Sequence, residues 1–314
     1  MSSTTPEGRG PDWLAVAENN VPGWTALSGP RALRGLAFAA VLLYVAAVAL
    51  RPLNANDLFW HLASGREILA SRSIPRADPF SFAGDGGPWV DHEWLWQAAA
   101  HGVYATAAGG RGPTPDAKGG YALILFGVLT VLAAFCIALW ALAREDLPAG
   151  AIAALGLVAA EVARERMMVR PETASLLFLA VFLYLLGRGE PGLRRGVRLA
   201  LVAAVWANVH PAALLAPVLV LLHGLGSDGR DRGTRGPWRE RLGVLLEALL
   251  AGLGTLVNPF GAALWTVPFK LSTLVRTQAF FNPEWLRPPL ARFPLFYVAV
   301  LAAGLLPWSN QSVR

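Results

Sequence analysis

The residues able to do chemistry fall in a few short clusters. The first lies in the run NANDLFWHLASGREILASRSIPRADPFSFAGDGGPWVDHEWLW, which holds Asp57, His61, Asp78, Asp91, His92, Glu93 and Trp94. The second is Glu161-Val-Ala-Arg164-Glu165-Arg166-Met-Met-Val-Arg170-Pro-Glu172, three arginines among three carboxylates. Trp206-Ala-Asn208-Val-His210-Pro211, Asn258-Pro-Phe-Gly261 and Asn282-Pro-Glu284-Trp285 complete the set. A carboxylate beside a hydroxyl acts as a general base. Arginine grips phosphate with a planar, permanently charged fork. Together they suit transfer of a group from a lipid phosphate to an acceptor hydroxyl, with the arginines stabilising the departing phosphate. Each residue also has a plainer reading. Asp57 and Asp91 stand where helix N-caps would stand. Asp78-Pro79 reads as a turn, and His61, His92 and His210 match no zinc spacing. Trp60, Trp89, Trp94 and Trp96 suit an interfacial belt as well as a sugar-stacking platform.

The elements that must hold these residues follow from composition. The chain has 314 residues, of which 54% are hydrophobic and 15% charged, and its mean hydropathy is +0.44. A soluble domain carries roughly 25% charge, so the chain leans away from water. The net charge of +6 raises nucleic acid as a partner, but the arginines are spread between charge-free stretches rather than massed on a polar domain. A single cysteine, Cys136, excludes an internal disulfide framework and a cysteine-based zinc site.

About 20 apolar residues cross a bilayer. Candidate spans are Leu36–Leu50, Tyr121–Ala143, Ala149–Ala160, Ala174–Leu186, two helices within Leu199–Leu225 that break at His210-Pro211, Leu242–Val257 and Phe293–Trp308. The expected fold is all-α, a multi-pass transmembrane helix bundle of about eight spans. Leu58, His61, Leu62, Gly65, Ile68 and Leu69 are spaced for one surface helix, and His92–Ala108 reads as a second. Both belong to a large first external loop, 51–120; a second external loop is 161–172 and a cytoplasmic basic loop is 226–241. The Arg188–Arg198 and Gly226–Arg241 segments then lie inside, as the positive-inside rule asks, and the chemistry-bearing clusters lie outside. His223 and Glu247, toward the inner ends, read as snorkelling or structural. Residues 1–31 read as a flexible cytoplasmic arm before a domain of 32–310.

Asp57 followed by Phe59-Trp60-His61, Ile74-Pro75, Asp78-Pro79-Phe80-Ser81, Trp89, His92-Glu93-Trp94-Leu95 and Arg170-Pro171-Glu172 resembles the GT-C class of integral-membrane glycosyltransferases. The likeness is to the bacterial members that use polyprenyl-phosphate sugars, in a largely uncharacterised branch, and it covers roughly residues 33–310. It implies a membrane enzyme with Asp57 as catalytic base, inversion at the sugar carbon, and a lipid-phosphate site at Arg164, Arg166 and Arg170. Convergence on the same outer face adds Asp91 and Glu93 as further candidate catalytic acids, and His61, Asp78, His92, Trp94, Glu172, Asn208, His210 and Glu284 as candidate substrate contacts. The implied partners are a polyprenyl-phosphate-linked sugar donor, membrane lipid and an acceptor glycan, lipid or protein, without nucleic acid. No motif demands a cofactor, although a divalent metal ion is compatible with the acids. The implied location is the bacterial inner (cytoplasmic) membrane with a cytoplasmic N-terminus. A lipid or small-molecule transporter, or a non-catalytic relative serving cell-envelope assembly, are the alternatives. A transporter should show repeated halves and mid-span charges, whereas here no repeat is visible and the charges gather at helix ends.

Overall fold

A computed structural model describes residues 30–54, 57–80, 88–110, 116–145, 147–226, 237–277 and 288–309. Glu284, most of the arm before residue 32 and most of the basic loop at 226–241 lie outside the described residues. Among the described residues the chain is helical throughout, with an isolated antiparallel bridge between Ala77 and Pro88 in place of any sheet.

Helix α1 (Pro30–Ala49) is apolar almost all round and stops short of Pro52, whose ring cannot continue a helix. Two shorter helices follow, α2 (Leu58–Ser71) and α3 (Trp94–Ala108). Helix α4 (Ala117–Ala143) has 27 residues, a length of roughly 40 Å at the usual rise. The Asp116 carboxylate caps it by accepting from the backbone N–H groups of Lys118 and Gly119 at 2.8 and 3.1 Å. Then come α5 (Ala149–Ala163), α6 (Pro171–Leu186), α7 (Leu193–Ala207), α8 (Ala216–Gly226), α9 (Pro237–Thr255), α10 (Val267–Arg276) and α11 (Pro294–Ser309). Short 3-10 turns at Arg164–Arg166, Pro211–Leu215 and Gly261–Thr266 join some of them.

The helices pack in two groups. In the first, Val41, Val45 and Ala49 of α1 meet Val131, Phe135 and Leu139 of α4 and Ile152 of α5. Gly156 is what lets α5 approach: a Cβ there would lie 2.9 Å from Val41 and 3.0 Å from Leu139. In the second, Phe182 and Leu186 of α6, Leu199 and Ala203 of α7, Val220 of α8 and Ala251 of α9 share a core. Helix α6 bridges the two groups, packing on both α4 and α7.

Beneath the second core sits a buried ion pair. The Arg195 guanidinium gives two N–H groups to the Glu247 carboxylate, both at 2.9 Å. Its remaining donors reach the Leu186 and Gly189 carbonyls at 2.7 and 2.8 Å, and the Gly192 N–H reaches Glu247 at 2.8 Å. One reading from the sequence changes here and one is narrowed. Arg195 belongs to the first turns of α7 rather than to an inner loop, and Glu247, read as snorkelling or structural, is structural and faces that arginine.

Helices α2 and α3 cross where a Gly65 Cβ would fall 2.0 Å from the Gln97 carbonyl oxygen, so only glycine fits. Leu58, Leu62, Trp96 and Ala100 of this pair pack on Leu123, Val169, Ala174 and Val209. The buried face of α2 is Leu58, His61, Leu62, Ser64, Gly65 and Ile68, while Leu69 points out at 50% exposure.

Among the described residues two helices are long and apolar enough to cross a membrane, Arg31–Ala49 and Ala117–Ala143. Charge-free windows in the sequence pointed to about eight spans. Other apolar helices are shorter, as at Pro171–Leu186 and Pro211–Gly226, because Pro, Gly and charged residues end them early. Outward-facing apolar side chains are frequent, with Leu43, Tyr121, Leu125, Leu129, Trp140, Leu249 and Leu253 all half exposed or more.

Candidate functional site

The site starts at two residues that stand at helix N-termini. Asp57 occupies the N-cap position of α2, yet its carboxylate makes no bond to the helix backbone. It turns instead to Arg170, whose Nε donates to Oδ1 at 3.1 Å. Arg170 stands at the N-cap of α6 with extended backbone (φ −147°, ψ 159°), the conformation that the following Pro171 demands. That geometry drives its side chain inward, where it is only 8% exposed. The other Asp57 oxygen faces Nε2 of His61, one turn along α2, at 3.7 Å. Burial pulls the Asp57 carboxyl upward, but the His61 hydrogen bond and the Arg170 charge outweigh it and hold the group below its ordinary value.

Glu93 lies at the centre of three imidazoles. His61 Nε2 is 3.8 Å from Oε2, and the Nε2 atoms of His92 and His210 are 3.8 and 3.7 Å from Oε1. Burial pushes the Glu93 carboxyl up to about 7, with Asp91, Asp57 and Glu172 adding to the rise and His61 opposing it. Burial also depresses His92, and it takes His210 down to about 3 with help from the His92 and His61 charges. The helix expected to open at Asp91 starts later, at Trp94, with Glu93 in the N-cap position and no side-chain cap. Asp91 is buried at 2% exposure and accepts from the Gln97 amide at 2.8 Å, so burial lifts its carboxyl to about 6 against that bond.

A second set of contacts ties the cluster to the bundle. Asn208, at the C-cap of α7, accepts from the Trp94 indole at 2.9 Å and offers its backbone carbonyl to the Leu95 N–H at 3.1 Å. Its side-chain amide donates to the carbonyls of Ala204 and Val257, each at 2.7 Å. Asn208 thus pins the start of α3 to the ends of α7 and α9. Arg76 donates to the Pro259 carbonyl at 3.0 Å and lies over the Phe260 ring, so the Asn258–Gly261 turn is drawn against the same loop.

Of the residues singled out from the sequence, Asp57, His61, His92, Glu93, Arg170, Glu172 and His210 form one connected network, and Asp91 joins it through Gln97. Glu172 receives Arg166 at 3.1 Å and lies 3.9 Å from Arg170. The Arg166 side chain is 50% exposed and the Arg164 side chain 48%. Arg164 pairs with Glu161, which also accepts a hydrogen bond from the Tyr44 hydroxyl. Asp78 accepts from the Phe80 backbone N–H at 2.8 Å, a turn geometry, and swings Phe80 onto Trp60 and Trp89. Glu284 falls outside the described residues.

Gln97 is the functional-site residue that sequence reasoning passed over. A polar side chain four residues after Glu93, on the face that carries Trp96 and Ala100 into the core, was the available signal. Tyr44 and Arg76 carried no comparable signal, since their partners lie more than a hundred residues away.

The donor set is three histidines and two or three carboxylates, but among the described residues no group of three or more such side chains is arranged to hold a metal ion. What the arrangement does offer is an ionised carboxylate held by arginine and histidine, beside a buried acid whose proton is retained near neutrality. Environments that push two neighbouring acids apart in this way assign them different protonation roles. Comparison with protein-family models, with curated proteins and with solved structures finds no match for the chain.

Proposed function

We propose that the chain is an integral-membrane glycosyltransferase of the GT-C type, moving a sugar from a polyprenyl-phosphate donor to an acceptor hydroxyl on a glycan, lipid or protein. The observation that carries this reading is the setting of Asp57: a carboxylate a few residues after a membrane-length apolar helix, oriented by a buried arginine and a buried histidine. In this reading α1 and α4 cross the bilayer fully, and the shorter apolar helices complete a bundle of about eight spans. The outward-facing leucines of α1, α4 and α9 suit contact with lipid. The first loop then lies on the non-cytoplasmic face of a bacterial cytoplasmic membrane, with the N-terminus on the other side.

Asp57 takes the acceptor hydroxyl proton as the oxygen attacks the anomeric carbon. The bond from that carbon to the phosphate oxygen breaks, and its electron pair leaves with the phosphate. A single displacement inverts the carbon. Arg170 keeps Asp57 ionised, and the half-exposed heads of Arg166 and Arg164 are the groups able to meet the phosphate. Glu93, whose carboxyl burial raises to about 7, places less negative charge beside Asp57 and the incoming hydroxyl than an ordinary glutamate would.

The test is sugar transfer from a polyprenyl-phosphate sugar by wild type and Asp57→Asn in membranes. Transfer lost in the variant, with insertion intact, supports the reading; transfer unchanged removes Asp57 from it. Orientation is tested separately in a variant lacking Cys136, with single cysteines at residues 72 and 232. The two should label from opposite sides of the membrane, and labelling from the same side overturns the topology.

A further inference from the structure

The three histidines around Glu93 differ in what holds their other ring nitrogen. His210 Nδ1 accepts from the Ala212 backbone N–H at 3.2 Å, so in the neutral ring the hydrogen sits on Nε2. His92 Nδ1 faces the Val90 carbonyl at 3.1 Å, and a carbonyl only accepts, so this ring carries its hydrogen on Nδ1 and leaves Nε2 bare. His61 Nδ1 faces the Gln97 side-chain nitrogen at 3.4 Å. An amide nitrogen only donates, so His61 also carries its hydrogen on Nε2, the nitrogen aimed between Asp57 and Glu93.

Which way the Gln97 amide points is settled by its second partner. The same nitrogen lies 2.8 Å from Asp91 Oδ1, both residues are buried, and above a midpoint raised to about 6 the Asp91 carboxylate can only accept. Turning the amide over would set its oxygen against that carboxylate. Asp91 therefore fixes Gln97, Gln97 fixes the His61 tautomer, and His61 presents its N–H to Asp57.

We propose that Asp91 and Gln97 are positioning residues that lock His61 as the Nε2–H tautomer, and that Glu93 is enclosed by two such donors, His61 and His210, and one acceptor, His92. The arrangement gives each protonation state of Glu93 partners. The carboxylate receives N–H groups on both oxygens, and the neutral acid directs its O–H to the bare nitrogen of His92. The 3.7–3.8 Å separations close to hydrogen bonds with small side-chain movements, as happens when an active site tightens on its substrate. The charged groups that face this centre are Asp57 from α2, Asp91 from the segment before α3, Glu172 and Arg170 from the start of α6, and Arg166 from the turn before it.

The catalytic meaning of the tautomer rests on the glycosyltransferase reading, but its test needs no substrate. The full chain is labelled with nitrogen-15 histidine, reconstituted in lipid nanodiscs and examined by NMR, which separates a protonated ring nitrogen from a bare one. Signals are assigned with His61→Gln, His92→Gln and His210→Gln, leaving His101 and His223 as the other two of the five histidines. His61 and His210 should show bare Nδ1 and His92 bare Nε2. Gln97→Met should release His61 into a mixture of tautomers while His92 and His210 keep theirs, and Asp91→Asn, which frees the amide to turn over, should do the same. A His61 that carries its hydrogen on Nδ1 in wild type, or that keeps one tautomer in a folded Gln97→Met chain, overturns the proposal. Should Gln97→Met fail to fold, the wild-type and Asp91→Asn spectra decide it. A correct tautomer set in a chain that transfers no sugar leaves this proposal standing and removes the reaction. In an active chain, Gln97→Met should lower transfer on the order of ten-fold or more, as loss of the right tautomer does beside other catalytic carboxylates.

Discussion

Glu93 should hold its proton where an ordinary glutamate has long lost it. Its carboxyl is displaced from 4.5 to about 7, a change driven by burial among Trp94, three histidines and neighbouring acids. At about 1.4 kcal/mol per pH unit the displacement corresponds to about 3 kcal/mol against the charged form. At neutral pH about half the molecules then carry a neutral Glu93, against roughly one in 300 for an unperturbed group. Infrared spectroscopy resolves this directly, because a protonated carboxyl absorbs apart from a carboxylate. In a pH titration of the reconstituted protein, a carboxyl band should fade in two steps, one near 7 and one near 6. Glu93→Gln should remove the upper step and Asp91→Asn the lower, with each step belonging in part to the coupled pair. The sign is fixed: both groups are raised, so both are neutral below these midpoints and charged above. If the band is gone by the pH where unburied carboxyls ionise, or if it survives Glu93→Gln with its upper step intact, the account of the site as a closed, poorly hydrated cluster is wrong.

Other outcomes follow from the same geometry. Arg170→Met should raise the Asp57 midpoint, because it removes the charge that opposes burial, and transfer should need a higher pH; an unshifted pH profile would separate Arg170 from Asp57. Arg195→Met alone strands the Glu247 carboxylate and should cost about 3–5 kcal/mol, whereas Arg195→Met with Glu247→Leu should recover most of that loss, as read by thermal unfolding in detergent. Equal loss in the single and double variants would show that the pair does not act as a unit. Gly65→Ala brings a methyl to 2.0 Å from the Gln97 carbonyl and must spread α2 from α3, with a loss of about 1–3 kcal/mol or more. Cysteine accessibility at residue 62, buried between these helices, should rise in that variant, and unchanged protection would mean that the crossing is looser than drawn.

Much of the layout is legible in the chain. The break at His210-Pro211 appears as a short 3-10 turn between α7 and α8, and the apolar stretch at Tyr121–Ala143 sits within α4. The two helices of the first loop form close to where periodicity puts them, the second opening at Trp94 rather than His92, and the clusters at Asp57, Asp91–Glu93, Arg170–Glu172 and His210 meet. Local rules explain that success: proline sets the conformation before it, and apolar spacing sets which face is buried. What escapes is pairing through space. Nothing local tells Arg195 from Arg194 or Arg198, and the partner of Arg195 lies 52 residues away. Asp57 and Asp91 both look like N-caps because they precede helices, yet each carboxylate has a better partner, an arginine in one case and an amide in the other. The prominence of Glu93 depends on three rings from separate segments, which no spacing within one segment encodes.

The Arg195–Glu247 pair bears on how such a chain is made. Ribosomes deliver α7 well before α9, and for that interval Arg195 has only the Leu186 and Gly189 carbonyls as partners. On the membrane reading Arg195 stands at the cytoplasmic end of α7, where water can hold its unpaired charge but a closed apolar pocket cannot. The inner end of α7 should therefore stay open to the cytoplasm, loosely packed, until Glu247 emerges. A chain stopped before α9 should be cleared by the cell's quality control, and one that carries α9 should be retained. The pair would then act as a checkpoint on the order of assembly as well as a brace for the finished bundle.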